Sequence, residues 1–171
     1  DYHSPLLQQI ILNNLLKWKC EQMRVIAGKH KSKALESLEG RNTRPTMDKV
    51  KEGIFNSLHE VSGLGLDLFA GSGALGIEAL SRGMEKVIFV DQNFKAVKVI
   101  KANLNQLDLM SQAEVYKNNA DRALKALAKR EIQFDIIFLD PPYKKGLIDE
   151  AIERISEFNL LKENGIIVCE F

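Results

Sequence analysis

The chain has 171 residues and a mass of 19.3 kDa, with 45% hydrophobic and 27% charged residues. These values are typical of one soluble globular domain with a single core. No apolar run approaches the roughly 20 residues that a membrane helix needs. Two cysteines cannot build a disulfide framework, and three histidines without ligand spacing disfavour a zinc site. We therefore expect a cytoplasmic protein that holds no metal.

The net charge of +1 conceals one basic segment. Between Arg24 and Lys51 the sequence has eight basic and three acidic residues, whereas the remainder is mildly acidic. A basic segment beside an acidic body indicates a polyanionic partner such as nucleic acid. The alternative is a solvated loop with scattered lysines.

The first 22 residues differ from the rest of the chain. Their apolar residues, from Leu6 to Trp18, have helical spacing, and Met23 follows them as a natural start codon. We therefore interpret residues 1–22 as an upstream or vector-derived extension. A helix that packs on the body or on a partner chain is the alternative. Residues 23–171 are predicted to form one domain.

A basic hairpin and loop over residues 23–46 begin this domain. The pattern predicts a short strand at 24–28 that pairs with 33–38 across a lysine-rich turn. A loop follows at 40–46, as its Gly, Asn and Pro content indicates. Thr46 is placed to cap a predicted helix over 47–59.

Strands and helices alternate over the remaining residues. The strands are short, nearly continuous apolar runs, which are typical of parallel strands covered by helices on both faces. Right-handed crossovers then give a doubly wound, mostly parallel sheet of the α/β Rossmann-like class, which binds ligands beyond the carboxyl ends of its strands. The predicted strands are 66–69, 86–90, 113–117, 134–139 and 166–169, and the predicted helices are 74–81, 94–106, 122–129 and 147–158.

A glycine-rich loop follows the first of these strands. Gly71, Gly73 and Gly76 match the pattern G-x-G-x-x-G between a strand and a helix, which suits a dinucleotide, S-adenosylmethionine or a tight turn without ligand. Asp67 at the strand end favours a cationic group, such as the methionine ammonium, over a pyrophosphate. A helix-capping or loop-bracing role for Asp67 is the alternative. Asp91, at the end of the next strand, could accept hydrogen bonds from ribose hydroxyls with either cofactor.

The sequence Asp140-Pro141-Pro142-Tyr143 follows the fourth strand. Its two prolines remove two backbone donors and stiffen the turn, so that the turn carbonyls have few local partners. One carboxylate, these carbonyls and one aromatic face together suit the exocyclic amine of a nucleobase. Hydrogen bonds to Asp140 and to a turn carbonyl would localise the lone pair of that amine for methyl transfer, while Tyr143 stacks on the base. The alternative is a proline-rich turn with Tyr143 in the core.

Three blocks of sequence resemble the RsmD family of class I S-adenosylmethionine-dependent methyltransferases. They are MRVIAG at 23–28, TRPTMDKVKEGIFN at 43–56 and FAGSGALGIEALSRG at 69–83. The resemblance implies methyl transfer to N2 of a guanine in small-subunit ribosomal RNA, within a pre-assembled particle. It implies that Asp140, Pro141, Pro142 and Tyr143 are catalytic, that Lys29, Lys31, Lys33 and Arg41 face RNA, and that Arg44, Thr46, Asp67, Phe69, Gly71, Ser72, Gly73, Asp91, Gln92 and Asp121 bind the cofactor.

The resemblance also implies an antiparallel hairpin after the last parallel strand. The sequence stops at Phe171 without it, which would leave an apolar strand at an open edge of the sheet.

Other functions remain compatible with the residues. An N6-adenine methyltransferase acting on DNA or RNA shares the Asp-Pro-Pro-Tyr chemistry, and only the resemblance favours guanine over adenine. A sequence-specific DNA enzyme would need a further segment to read a groove, whereas an exposed RNA base needs less. A non-catalytic RNA-binding relative and a nicotinamide dehydrogenase are the remaining alternatives.

Overall fold

Strands and helices alternate along the described part of the chain. The computed structural model describes residues 8–12, 23–38, 48–141 and 146–170. The strands are β1 (Gln8–Leu12), β2 (Leu64–Asp67), β3 (Lys86–Asp91), β4 (Ala113–Lys117), β5 (Phe134–Leu139) and β6 (Leu161–Glu170). The helices are α1 (Asp48–Asn56), α2 (Ala74–Arg82), α3 (Phe94–Gln106), α4 (Ala120–Lys129) and α5 (Leu147–Glu157).

The six strands form one sheet in the order β1-β6-β5-β2-β3-β4, and every neighbouring pair is parallel. The predicted Rossmann-like fold with a mostly parallel sheet is thus confirmed. From β2 the chain adds β3 and β4 on one side and then returns to add β5 and β6 on the other. The strand order therefore reverses beside β2, and open α/β sheets bind ligands at the carboxyl ends of the strands at such a point.

Two helical layers cover the sheet, and alternate residues of β3 show the division. Val87 and Phe89 pack in a cluster with α1, α2, α3 and residues 23–38. Ile88 and Val90 pack in a second cluster with α4 and α5. Burial on both faces explains why the strands read as continuous apolar runs. We call residues 23–38 the hairpin, and the hairpin with α1, α2 and α3 the hairpin layer.

The hairpin is antiparallel, as predicted, but its ladder is limited to a single bridge between Arg24 and Ala34. The predicted full strand at 24–28 is wrong beyond this bridge. The reason is that the amides of Ile26 and Ala27 donate to the carboxylate of Glu78 on α2, at 2.7 and 3.1 Å. A side chain of the neighbouring helix has replaced the partner strand.

A buried cluster of charges around Glu78 joins the hairpin to two helices. The Glu78 carboxylate lies 3.5 Å from the ammonium of Lys51 on α1 and accepts a hydrogen bond from Arg82 on α2 at 2.9 Å. Both Glu78 and Lys51 have fully buried side chains. The Lys51 ammonium also donates to the carbonyl of Arg24. One carboxylate thus fixes the hairpin, α1 and α2 relative to one another.

The structure corrects the prediction for part of the N-terminal segment. Residues 8–12 form strand β1, which pairs with residues 166–170 of β6, whereas their apolar spacing predicted a helix. A short apolar run does not distinguish the two structures by periodicity, and here the pairing supplies backbone partners to the edge of β6. The remaining residues of the first 22 lie outside the described part, and their assignment as an extension stays a prediction.

Several element boundaries also differ from prediction. β2 ends at Asp67, so that Phe69 lies in the loop, and α1 ends at Asn56. α4 begins two residues early because the side chain of Asn119 accepts a hydrogen bond from the amide of Arg122 and caps the helix. β6 extends back to Leu161 across a register shift.

No helix among the described residues is long and apolar enough to cross a membrane. The same residues contain no cluster of three or more His, Cys, Asp or Glu side chains that could hold a metal ion.

The Glu78 cluster yields a stability prediction. Glu78→Ala removes the carboxylate beside the buried Lys51 and the acceptor of two hairpin amides, so we expect a loss of about 3–5 kcal/mol in the free energy of unfolding. Urea unfolding at neutral pH measures this loss. Glu52→Ala, an exposed acid on the same layer, is the control and should change stability by less than about 0.5 kcal/mol. Equal effects of the two variants would contradict the role of Glu78.

Candidate active site

A cavity of about 990 Å³ lies at the carboxyl ends of the strands. Three carboxylates line it from three neighbouring strands: Asp67 from the end of β2, Asp91 from the end of β3 and Asp140 directly after β5. These strand ends meet at one edge because β2 lies between β3 and β5. The cavity is therefore acidic where it meets the strand ends. This charge disfavours a pyrophosphate ligand and suits groups that donate hydrogen bonds or carry positive charge.

The glycine loop forms one wall of the cavity. Gly71 has a φ of 57°, and a Cβ there would meet only the Leu38 side chain, at 3.9 Å. This left-handed conformation favours glycine and leaves the backbone open for a ligand to approach. Phe69 and Ser72 line the cavity as well. Gly73, the N-cap residue of α2, does not line the cavity, and a Cβ at this position would lie 3.3 Å from the side chains of Ile77 and Ile100.

Gly76 serves packing instead of ligand contact. A Cβ at this position would lie 2.3 Å from the Phe89 ring of β3. The third glycine of the loop pattern therefore lets α2 lie close against the sheet.

Asp67 is buried and has a perturbed pKa. Its side chain accepts a hydrogen bond from the amide of Gly76 at 3.1 Å, so the loop-bracing interpretation applies. The same residue lines the cavity, so contact with a ligand remains compatible with it. The pKa of Asp67 is raised to about 7, mainly by burial; the hydrogen bond from Gly76 opposes this rise, and the nearby negative charges of Asp140 and Asp91 add to it.

Asp91 is held by two backbone amides. One oxygen accepts from Gly71 at 2.9 Å and the other accepts from Asn93 at 2.8 Å. A carboxylate has about four acceptor positions, so that further hydrogen bonds from hydroxyl groups remain open to it. Gln92, exposed at the rim, also lines the cavity.

Asp121, in the first turn of α4, also lines the cavity. Its carboxylate contacts Lys125 at 3.0 Å and Arg154 of α5 at 3.1 Å. The hydrogen bond from Lys125 and the charge of Arg154 lower the pKa of Asp121. The sequence alone did not indicate Arg154, because the pair joins two helices separated along the chain.

The predicted catalytic turn is partly described. Asp140 is half-buried and Pro141 is buried, and both line the cavity. Pro142 and Tyr143 lie outside the described residues, as do Arg41, Arg44 and Thr46. Lys29, Lys31 and Lys33 are exposed at the turn of the hairpin and are not among the residues that line the cavity.

Asn103 of α3 connects the hairpin to the glycine loop and was not predicted. Its amide pairs with both backbone groups of Glu36, at 2.7 and 3.0 Å, and donates to the carbonyl of Ser72 at 3.0 Å. The side chain is fully buried. An asparagine on the buried face of an amphipathic helix was the available signal, because a buried polar group requires partners.

The fold, the glycine loop and the acidic strand ends define a Rossmann-like methyltransferase. The family model described as "Conserved hypothetical protein 95" matches residues 23–171. The chain belongs to this family, the RsmD family of methyltransferases.

Two curated relatives agree with this assignment. The chain is 55% identical over 150 residues to "Putative rRNA methyltransferase YlbH" from Bacillus subtilis. The aligned region covers 86% of this chain and 82% of that protein. It is 40% identical over 154 residues to "Ribosomal RNA small subunit methyltransferase D" from Haemophilus influenzae, which covers 87% of this chain and 78% of that protein.

A solved structure has the same fold. The structure of "Putative methyltransferase yhhF" from Escherichia coli matches with a TM-score of 0.74 and 33% sequence identity. The match covers 86% of this chain and 81% of the other.

The raised pKa of Asp67 leads to a pH prediction. Because the folded-state pKa of about 7 lies above the ordinary value of 3.8, the folded state retains a proton that the unfolded state loses. The contribution of Asp67 to stability is therefore fully present below pH 3.8 and is lost as the pH rises to about 7. The side chain in Asp67→Asn does not ionise, so we expect the stability of this variant relative to the parent to increase between about pH 4 and 7.

Urea unfolding at several pH values tests this prediction. Glu60→Gln, at an exposed position outside the cavity lining, provides the charge-matched control and should show no such trend. A constant difference between Asp67→Asn and the parent across the pH range would contradict the raised pKa.

Proposed function

We propose that this chain transfers the methyl group of S-adenosylmethionine to N2 of a guanine in small-subunit ribosomal RNA, in the cytoplasm. The observation that carries the proposal is the position of Asp140 and Pro141 in the same cavity as Asp67 and Asp91. This arrangement supports a site for the methyl-accepting amine beside a site for the cofactor. The printed names of the two curated relatives support ribosomal RNA as the substrate.

The carboxylates and the open backbone of the cavity fit the proposed cofactor. Asp67, buried and close to two further acids, would gain from an ammonium group nearby, because a cation offsets the cost of its ionisation. Asp91 would accept hydrogen bonds from ribose hydroxyls, and the open backbone at Gly71 would allow close approach. When bound, S-adenosylmethionine supplies an electrophilic methyl group. The predicted contacts of Arg44, Thr46, Phe69, Ser72, Gln92 and Asp121 belong to the same proposal, in which Gly73, outside the cavity lining, shapes the loop instead of contacting the cofactor.

Asp140 is the proposed hydrogen-bond acceptor for the substrate amine. The lone pair of an exocyclic amine is delocalised into the base, so the amine is a weak nucleophile. A hydrogen bond from one N–H to the Asp140 carboxylate, and from the other to a carbonyl of the turn, would hold the amine pyramidal and direct its lone pair. Asp140 or water then takes up the proton that the amine loses. Pro141 and Pro142 would keep the turn rigid, and Tyr143 would stack on the base.

The mechanism predicts a separation of turnover from cofactor binding in Asp140→Asn. We expect the rate of methyl transfer to small ribosomal subunits to fall by at least about 100-fold, because the variant lacks both the charge and the proton acceptor. The affinity for S-adenosylhomocysteine, measured by calorimetry, should change by less than about fivefold. Asp108→Asn removes the same charge at an exposed position outside the cavity lining and should retain full activity. Unchanged turnover in Asp140→Asn would overturn the role of Asp140.

The substrate is tested with tritium-labelled cofactor. We expect transfer to small ribosomal subunits from cells that lack the gene, and mass spectrometry of the digested RNA should identify N2-methylguanosine. N6-methyladenosine as the product, or transfer to duplex DNA alone, would contradict the proposal.

A further inference from the structure

Helix α3 presents an unusual charged surface. Its 13 residues include Lys95, Lys98 and Lys101 and no acidic residue. All three lysines are exposed, and no ion pair joins any of them to another residue within the described ranges. The surface therefore has a positive charge that no acidic side chain of its own helix neutralises.

The first residue of α3 adds an aromatic side chain to this surface. Phe94 is 62% exposed, more than any other large hydrophobic residue in the described part of the chain. The ammonium of Lys98 lies 5.7 Å from the centre of the Phe94 ring, within the range of a cation–π contact. A single exposed phenylalanine is common on protein surfaces, but this ring lies beside a cation on a helix without acidic residues, which makes it a candidate for contact with a partner.

Helical geometry aligns three of these residues. Phe94, Lys98 and Lys101 are spaced by four and three residues and therefore follow one face of α3, over about 10 Å. We call this face the α3 stripe. It starts at the rim of the cavity, because Asn93 and Ala96 at the same end of the helix line the cavity. A partner bound along the stripe would thus lead to the candidate active site.

The two layers of the fold differ in how their cations are paired. In the second layer, Lys125 contacts Asp121, and Arg154 contacts Asp121 and Glu157. In the hairpin layer, the α3 stripe lies together with the exposed Lys29 and Lys31, which likewise form no ion pair among the described residues. Among the described residues, α4 and α5 leave Arg122 and Lys129 without an ion pair, whereas the hairpin and α3 leave six exposed lysines without one, so uncompensated positive charge is greater on the hairpin layer.

We propose that the α3 stripe binds a single-stranded RNA segment next to the base that enters the active site, with Phe94 stacked on one base and Lys98 and Lys101 on phosphates. This combination of an aromatic face and cations is the usual means of binding unpaired nucleic acid. A duplex would offer no free base face to Phe94, and an acidic protein surface would use only the lysines. The inference rests on the proposed function, because it takes the acceptor to be RNA.

Binding measurements test the stripe without requiring methyl transfer. The probe is a fluorescein-labelled single-stranded RNA of about 12 nucleotides, followed by anisotropy over a series of salt concentrations. We expect Lys98→Glu/Lys101→Glu to weaken binding at least tenfold and to lower the slope of log K against log salt by about two. Phe94→Ala should weaken binding about tenfold with an unchanged slope, because stacking releases no counterions.

A charge-matched double variant controls for non-specific electrostatics. Lys117→Glu/Lys129→Glu reverses two exposed lysines outside the cavity lining that form no ion pair among the described residues, one at the end of β4 and one in the last turn of α4, and should bind the RNA nearly as well as the parent. Calorimetry with S-adenosylhomocysteine should give unchanged affinity for all variants, which shows that they are folded. An equal loss of RNA affinity in both double variants would overturn the inference. So would binding of poly-glutamate, a probe for an acidic protein partner, if Phe94→Ala weakened it as well.

The two proposals fail separately. If the parent protein binds the RNA through the stripe but methylates no ribosomal particle, the proposed function fails and the stripe stands. If it methylates particles and the α3 variants bind RNA and turn over as the parent does, the stripe fails and the proposed function stands.

Discussion

The buried carboxylate of Glu78 is the interaction on which the hairpin layer depends. It accepts hydrogen bonds from two amides of the hairpin and from the guanidinium of Arg82, and it lies near the ammonium of Lys51. A buried ionic group of this kind is costly unless all its partners are in place, so it favours a single arrangement of the elements that it joins. Asn103 adds a second connection, from the far end of the hairpin to the carbonyl of Ser72. The hairpin and the glycine loop are thus parts of one rigid unit.

That rigid unit separates charge within a chain whose net charge is only +1. Acids gather at the carboxyl ends of β2, β3 and β5, while exposed cations lie on the hairpin and on α3. The acidic cavity favours a cationic ligand, and the basic surface around its rim favours a polyanion. The proposed transfer from a sulfonium cofactor to RNA would need both properties close together, and Asn93 of the cavity lining is followed directly by the exposed Phe94 of the α3 stripe.

The sequence predicted those parts of the structure that local patterns determine. The strand 134–139 and the helix 94–106 agree with the observed bounds because apolar periodicity reports burial directly. The strand 113–117 also agrees, although its residues are only partly buried or exposed. The strand-end acids and the glycine loop also lie together, since a parallel sheet brings carboxyl ends to one edge. The shortened hairpin ladder, strand β1 and the role of Asn103 depend on contacts between distant segments, which leave no local pattern. The Asp121–Arg154 pair is hidden for the same reason.

At Asp67, a cost to the stability of the folded protein is set against the proposed binding of a cationic ligand. A carboxylate that is fully enclosed and near two others raises the free energy of the folded state whenever it ionises, which is why its pKa lies near 7. An amide in its place would avoid that cost while still accepting the hydrogen bond from Gly76. The acid is therefore poorly explained as a structural brace alone. A cationic ligand would reverse the balance, because the same negative charges that raise the free energy of the folded protein would then attract the ligand. The cost in the free protein and the affinity for a cation have one electrostatic origin.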